Sequence, residues 1–171
     1  MALPGVVVRP IELRDIGSFA ECTAAVIAER DYLAWQTPFP LESTAQFVAA
    51  NIRTGNPQYV ADDGGRIVGW CDIVRSDIPV HRHCGALGMG VLAKYREQGL
   101  GRRLIDATLA AARGAGFERV DLVVYARNSR AAALYRSTGF ADIGRRTRGK
   151  KLGGEYDDEL LMGVVFDEAD T

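Results

Sequence analysis

The stretch Arg96-Glu97-Gln98-Gly99-Leu100-Gly101 has residue types and spacing suited to binding an anion. It follows an apolar run, ALGMGV (Ala86 to Val91). It opens a segment in which Leu104, Ile105, Thr108, Leu109 and Ala112 share one helical face. A strand that feeds a glycine-rich turn at a helix start presents unpaired backbone N–H groups, and the positive end of the helix dipole reinforces them. Glycines allow a diphosphate to approach that backbone closely. Arg102 and Arg103 in the first turn oppose the dipole, a cost that a bound anion offsets. Two other phosphate loops do not fit. A P-loop needs Gly-Lys-Ser/Thr, but Arg102 follows Gly101. A dinucleotide fingerprint needs a third glycine where Leu104 stands, and an acid at the end of the next strand, whereas Asp121 lies at its beginning.

A second informative stretch is NSRAAALYRSTGF, from Asn128 to Phe140. Asn128 or Ser129 caps a short helix, and Gly139 supplies a left-handed stop. Ala131, Leu134 and Tyr135 fall on one face, with Phe140 able to fold back on it. Small residues from Ala131 to Ala133 leave room for a ligand alongside the helix.

The elements that must position these stretches follow from periodicity and breakers. Val6 to Pro10 is an expected strand, and Asp15 an expected N-cap for a helix with Ile16, Phe19, Thr23, Val26 and Ile27 on its apolar face. Ala45, Val48, Ala49 and Ile52 carry a second helix that Gly55 ends. Gln58 to Asp62 and Arg66 to Arg75 flank an Asp-Gly-Gly hairpin turn. Val120 to Tyr125 reads as a strand buried on both faces. Closing strands are expected at Ala141 to Arg148 and Tyr156 to Val165. The order β-α-α-β-β-β-α-β-α-β-β gives a mixed α+β domain with a mostly antiparallel sheet of six to seven strands and about four helices. A right-handed βαβ unit makes strands four and five parallel.

Bulk properties limit the partners. The chain has 171 residues and a net charge of −1, so it exerts no global pull on nucleic acid or membrane. Arg145 to Lys151 is basic but interleaved with acids downstream. The three cysteines, Cys22, Cys71 and Cys84, form no CxxC pair, and no metal site is expected. No leader-like or membrane-length apolar run is read in the sequence, so a cytoplasmic location is expected.

Taken together, Val91 to Leu104 and Asn128 to Phe140 resemble the two coenzyme-A motifs of the GNAT superfamily of N-acetyltransferases, and the element order matches it from Val6 to Val165. The resemblance implies one acetyl-CoA-dependent domain in which a bulge at Gly88 to Gly90 parts strands four and five. Met89, Val91 and Ala93 would then border the pantetheine arm, the last two through backbone hydrogen bonds. Arg96, Glu97, Gln98, Gly99, Leu100, Gly101 and Arg102 would wrap the pyrophosphate. Asn128 and Ala131 would meet the cofactor from the second helix, and Tyr135 would act as general acid toward the leaving thiolate.

Many members resembling this segment carry a glutamate base where Ala86 stands here. The candidates that remain are His83, Asp72, Glu29 or ordered water. The resemblance places the acceptor against Glu29 to Ser43, where Tyr32 and Trp35 can line a pocket and Glu29 can hold a cation. The loosely similar ending favours a small-molecule amine such as an amino acid. A protein N-terminus or lysine, and a non-catalytic acyl-CoA sensor, are the alternatives. A homodimer is the expected assembly.

Overall fold

A computed structural model describes residues 5–166. Seven strands form one sheet in the order β1-β2-β3-β4-β5-β7-β6. They are β1 (Val6–Pro10), β2 (Gln58–Asp63), β3 (Arg66–Arg75), β4 (Cys84–Val91), β5 (Arg119–Tyr125), β6 (Ala141–Leu152) and β7 (Glu155–Val165). The helices are α1 (Ile16–Ala28), α2 (Leu41–Thr54), α3 (Leu100–Gly114) and α4 (Ser129–Ser137). None of the described helices is long and apolar enough to cross a membrane.

Two apolar clusters cover opposite faces of the sheet. On one, Phe19, Cys22 and Val26 of α1 and Val48 of α2 pack on Val60, Ile67 and Trp70. On the other, Leu104, Ile105 and Leu109 of α3 pack on Val68, Cys71, Ile73 and Val120. Strand β3 serves both, which is why its residues from Ile67 to Ile73 are buried without alternation. The Gly64-Gly65 turn joining β2 to β3 has positive φ at both residues, as a tight hairpin requires. Beyond it the register shifts between Ala61 and Asp62, leaving Val68 as an extra residue in β3. The bulge puts Ile67 and Trp70, three residues apart, on the same face.

Strands β4 and β5 are parallel over three pairs only, Cys84↔Arg119 to Ala86↔Asp121. Past Ala86 each follows its antiparallel partner, β3 and β7 respectively, and the two part. The expected splay is present, but the bulge assigned to Gly88–Gly90 is not what opens it. The β3–β4 register runs unshifted from Gly69↔Val91 to Arg75↔Gly85. The glycines instead make room for neighbours. A Cβ on Gly90 would lie 2.3 Å from the ring of Trp70, which Phe19 holds edge-on at 5.8 Å. Gly90→Ala is therefore expected to lower stability by about 1–3 kcal/mol in urea unfolding. An unchanged midpoint would show that the indole yields freely.

Three local expectations are corrected. Asp15 does not cap α1 through its side chain, because Arg9 holds its carboxylate at 2.7 and 2.8 Å. The buried stripe of α2 is Thr44, Val48 and Asn51, whereas Ile52 is exposed. Asn51 is polar and so broke the apolar pattern, but its amide is satisfied by Gln58 at 3.0 Å. The closing hairpin is longer than expected, turning at Gly153-Gly154. Its charged residues gave no alternation, yet they pair across strands, as in Arg145–Asp158 at 2.7 Å.

Candidate active site

The gap between β4 and β5 widens into a cleft of about 560 Å³. The end of α1 and the loop after it border one side, and the turn before α3 together with α4 borders the other. Backbone geometry of β4 decides what faces the gap. Leu92 N donates to Val68 O at 2.9 Å, and bonding alternates along an antiparallel ladder. Val91 and Met89 therefore turn their backbone groups away from β3 and toward the cleft.

The expected anion turn is built from the same logic. The first backbone bond of α3 runs from Arg103 N to Gly99 O at 3.2 Å. The amides of Gly99, Leu100, Gly101 and Arg102 have no partner among the described residues, and no side chain caps the helix. Glu97 and Gly99 adopt positive φ, 61° and 78°, curling the turn around these donors. Leu100 anchors it by burying its side chain in the core. At Gly99 a Cβ would meet nothing within 4 Å, so the approach to the cradle is open.

Gly101 has a second role. A Cβ there would stand 2.9 Å from Leu134 Cδ2, so its absence lets α4 close against α3. On α4, Asn128 Oδ1 accepts from Ala131 N at 3.2 Å, and Asn128, Ala131 and Tyr135 all line the cleft. Tyr135 is 8% exposed and packs edge-on against Phe140 at 5.9 Å. Its hydroxyl has no hydrogen-bond partner among the described residues, although it lines the cleft. Burial pushes the phenol well above its ordinary range. The near match to a thiol that its ordinary acidity suggests is thus lost, and the phenol keeps its proton at neutral pH.

Among the residues expected to bind cofactor, Met89, Val91, Arg96, Glu97, Gly99, Gly101, Arg102, Asn128 and Ala131 border the cleft. Ala93, Gln98 and Leu100 hold the turn's shape from outside that lining: Ala93 O accepts from Arg96 N, and Gln98 Nε2 donates to Lys94 O. Arg96 differs most from expectation. Its guanidinium grips Glu29 at 2.6 and 2.8 Å, its Nε donates to Val91 O at 2.8 Å, and it stacks 4.8 Å from the Tyr32 ring. The side chain therefore ties the loop after α1 to the glycine-rich turn, and the turn's free backbone amides are left for an anion. Glu97 pairs with Arg130 of α4 at 3.0 Å across the cleft mouth.

Of the acceptor-side candidates, Tyr32 lines the cleft and Glu29 is held by Arg96. Trp35 packs on Phe39 but is 60% exposed and outside the lining. His83 lies just before β4, at the closed end where β4 and β5 are still paired, and does not border the cleft. Asp72 is buried on β3 against Gly88, a lining residue. Sequence reading missed Val123, Tyr125, Leu134, Arg146 and Glu159 in the lining. The position of β5 beside the gap marked the first two, but the last pair needed the long β6–β7 hairpin. No group of three His, Cys, Asp or Glu among the described residues could hold a metal.

A strand with outward backbone groups, a cradle of unpaired amides and a buried phenol share one splayed cleft, an arrangement suited to an acyl-coenzyme-A-dependent transferase. The acetyltransferase (GNAT) family model matches residues 25–140, and the chain belongs to that family as an acetyl-CoA-dependent N-acetyltransferase. It is 31% identical over 153 residues to an uncharacterised N-acetyltransferase of Mycobacterium tuberculosis, covering 84% of this chain and 95% of the relative. The N-alpha-acetyltransferase RimI of the same organism is 37% identical over 94 residues, 55% of this chain and 58% of RimI. A phosphinothricin acetyltransferase from Sinorhizobium meliloti, solved with AcCoA, superposes with TM-score 0.89 at 19% identity, covering 96% of this chain and 90% of that one.

Proposed function

We propose that the chain acetylates the primary amine of a small molecule, an amino acid or related amine, with Tyr135 as the acid that protonates the departing sulfur. The observation that carries this reading is the placement of Tyr135, its hydroxyl unpartnered, in the same cleft as the amide cradle. The cradle residues Gly99 to Arg102 would hold the diphosphate of the acyl donor, and Met89 and Val91 its pantetheine arm. The donor supplies an activated acetyl carbonyl. Backbone N–H groups on the free edge of β4 are suited to stabilise the charge that develops on its oxygen. Tyr32, Leu33 and Ala34 wall the acceptor side, which suits a small amine. The open edge strand β6 supports pairing of two copies into the expected homodimer.

The stretch similar to RimI favours a second reading, acetylation of a protein N-terminus. One panel separates the two: thiol release from acetyl-CoA with amino acids, polyamines, aminoglycosides and N-terminal peptides. Release is expected with small amines. Tyr135→Phe is expected to lower kcat about 100-fold or more while acetyl-CoA affinity holds. Release with peptides alone would favour the second reading. Tight acetyl-CoA binding with no release from any amine would make the chain a non-catalytic binder.

A further inference from the structure

Position 86 is alanine, so β4 offers the acceptor no carboxylate at the point where the gap opens. The neighbouring strand sets a carboxylate two residues further along, behind the lining residue Gly88, with Asp72 itself outside the lining. Asp72 pairs with Gly88 in the β3–β4 ladder, and a Cβ on Gly88 would lie 3.4 Å from Asp72 Oδ1 and 3.7 Å from Oδ2. These are ordinary contact distances, so the carboxylate lies directly against the β4 backbone that borders the gap. Asp72 shares its face with Trp70, the α1 face, whereas Tyr135 packs in the cluster on the α3 face. The two groups therefore lie on opposite faces of the sheet, Tyr135 in the cleft lining and Asp72 behind Gly88.

The surroundings of Asp72 make its burial costly. It is 7% exposed, and no charged side chain bonds to it among the described residues. Gln58 faces it from β2, Gly88 from β4, and Trp70 and Val74 flank it along β3. Gln58 is itself buried, with its Nε2 lacking a partner. The packed face of α1 contributes the Cys22 thiol, pushed up to about 12 by burial, and α2 contributes the neutral Asn51. Glu29, just past α1, is neutralised by Arg96. A lone buried carboxylate beside uncharged polar groups suits a cation that comes and goes. Burial pushes the carboxyl up to about 7, against the opposing influence of the Trp70 indole.

We propose that Asp72 takes the proton from the acceptor ammonium before transfer, filling the role that β4 leaves vacant. This rests on the acetyl-transfer reading above. The ammonium gives one proton to the Asp72 carboxylate, which becomes a carboxylic acid. The nitrogen lone pair then forms the C–N bond as the C–S bond breaks, its electron pair leaving on sulfur. Sulfur takes the Tyr135 proton, the second nitrogen proton restores the phenol by way of solvent, and the Asp72 proton leaves to solvent. The products are an amide, a thiol and one released proton.

The test compares wild type with Asp72→Asn, using acetyl-CoA and each amine that the panel finds active. Wild-type kcat is expected to rise with pH through about 7 and then level. Asp72→Asn is expected to lose about 100-fold in kcat at neutral pH. Its rate should then climb roughly tenfold per pH unit as free amine accumulates, closing the gap at high pH. Acetyl-CoA affinity, read by calorimetry, should stay within about threefold and reports that the variant is folded. A variant with wild-type kcat would overturn the assignment. So would a raised KM with an unchanged pH profile, since that marks an anchor for the cation. Absence of amine-dependent release from wild type would instead refute acetyl transfer itself.

Discussion

Gly101→Asp is expected to weaken acetyl-CoA binding about 100-fold or more while leaving a folded protein. The residue supplies one of four unpaired amides at the start of α3, and a side chain there would project toward Leu134 and Met89 in the cleft lining. A carboxylate there would bring a negative charge close to a diphosphate held by the proposed cradle. At about 5 Å and an effective dielectric near 20, the repulsion is roughly 3 kcal/mol per phosphate charge. That alone weakens binding about 100-fold or more. The folding penalty is smaller for two reasons. The new Cβ collides at 2.9 Å with the far end of Leu134, a flexible side chain. An acid in the first helical turn also suits the dipole, offsetting roughly 0.3–1 kcal/mol. Calorimetric titration and thermal melting of the same sample check both halves. Binding within tenfold of wild type would mean that the diphosphate does not sit at this turn.

Asp72→Asn is expected to stabilise the fold strongly at pH 8 and hardly at all at pH 4. The sign follows from proton bookkeeping. In the unfolded chain the carboxyl titrates near 3.8, whereas burial in the fold raises it to about 7. Below pH 4 both states hold the proton. Between about 4 and 7 the unfolded chain releases it and the folded chain retains it, so stability falls as pH rises. Above 7 the loss is complete. The gap of roughly 3 units corresponds to an upper bound of about 4 kcal/mol, which asparagine, carrying no charge, does not incur. Urea unfolding of both proteins at pH 4 and pH 8 reads the difference and cancels every other titrating group. An equal effect at both pH values would show that the folded carboxyl titrates normally. Greater stability with lower activity in one variant would mark a residue kept at the expense of the fold.

The phosphate turn and α4 were legible because their determinants are local: glycines, a cap and 3.6-residue spacing within short windows. The Tyr135–Phe140 contact came from the same window. Non-local pairings were not legible. Nothing near Arg96 in sequence announces Glu29, 67 positions away. Arg146 and Glu159 reach the cleft only through a hairpin whose charges hide its strands. Asp72 was visible as one acid among several, since its distinction is burial against Gly88, a product of register. His83 drew attention through residue type, whereas the direction in which β4 and β5 part leaves it at the closed end.

Val68, the extra residue in β3, never borders the cleft, yet it sets the parity of everything that follows it. Side chains on a strand have two settings only, and one inserted residue exchanges them. Counted from the hairpin without that insertion, Trp70 and Asp72 would point at α3, and Cys71 would point at α1. The indole over Gly90 and the carboxylate beside Gly88 thus depend on a residue count rather than on any residue's chemistry. Shortening the β2–β3 hairpin arm by one position would turn both inside out relative to the gap while leaving every cleft residue unchanged in name.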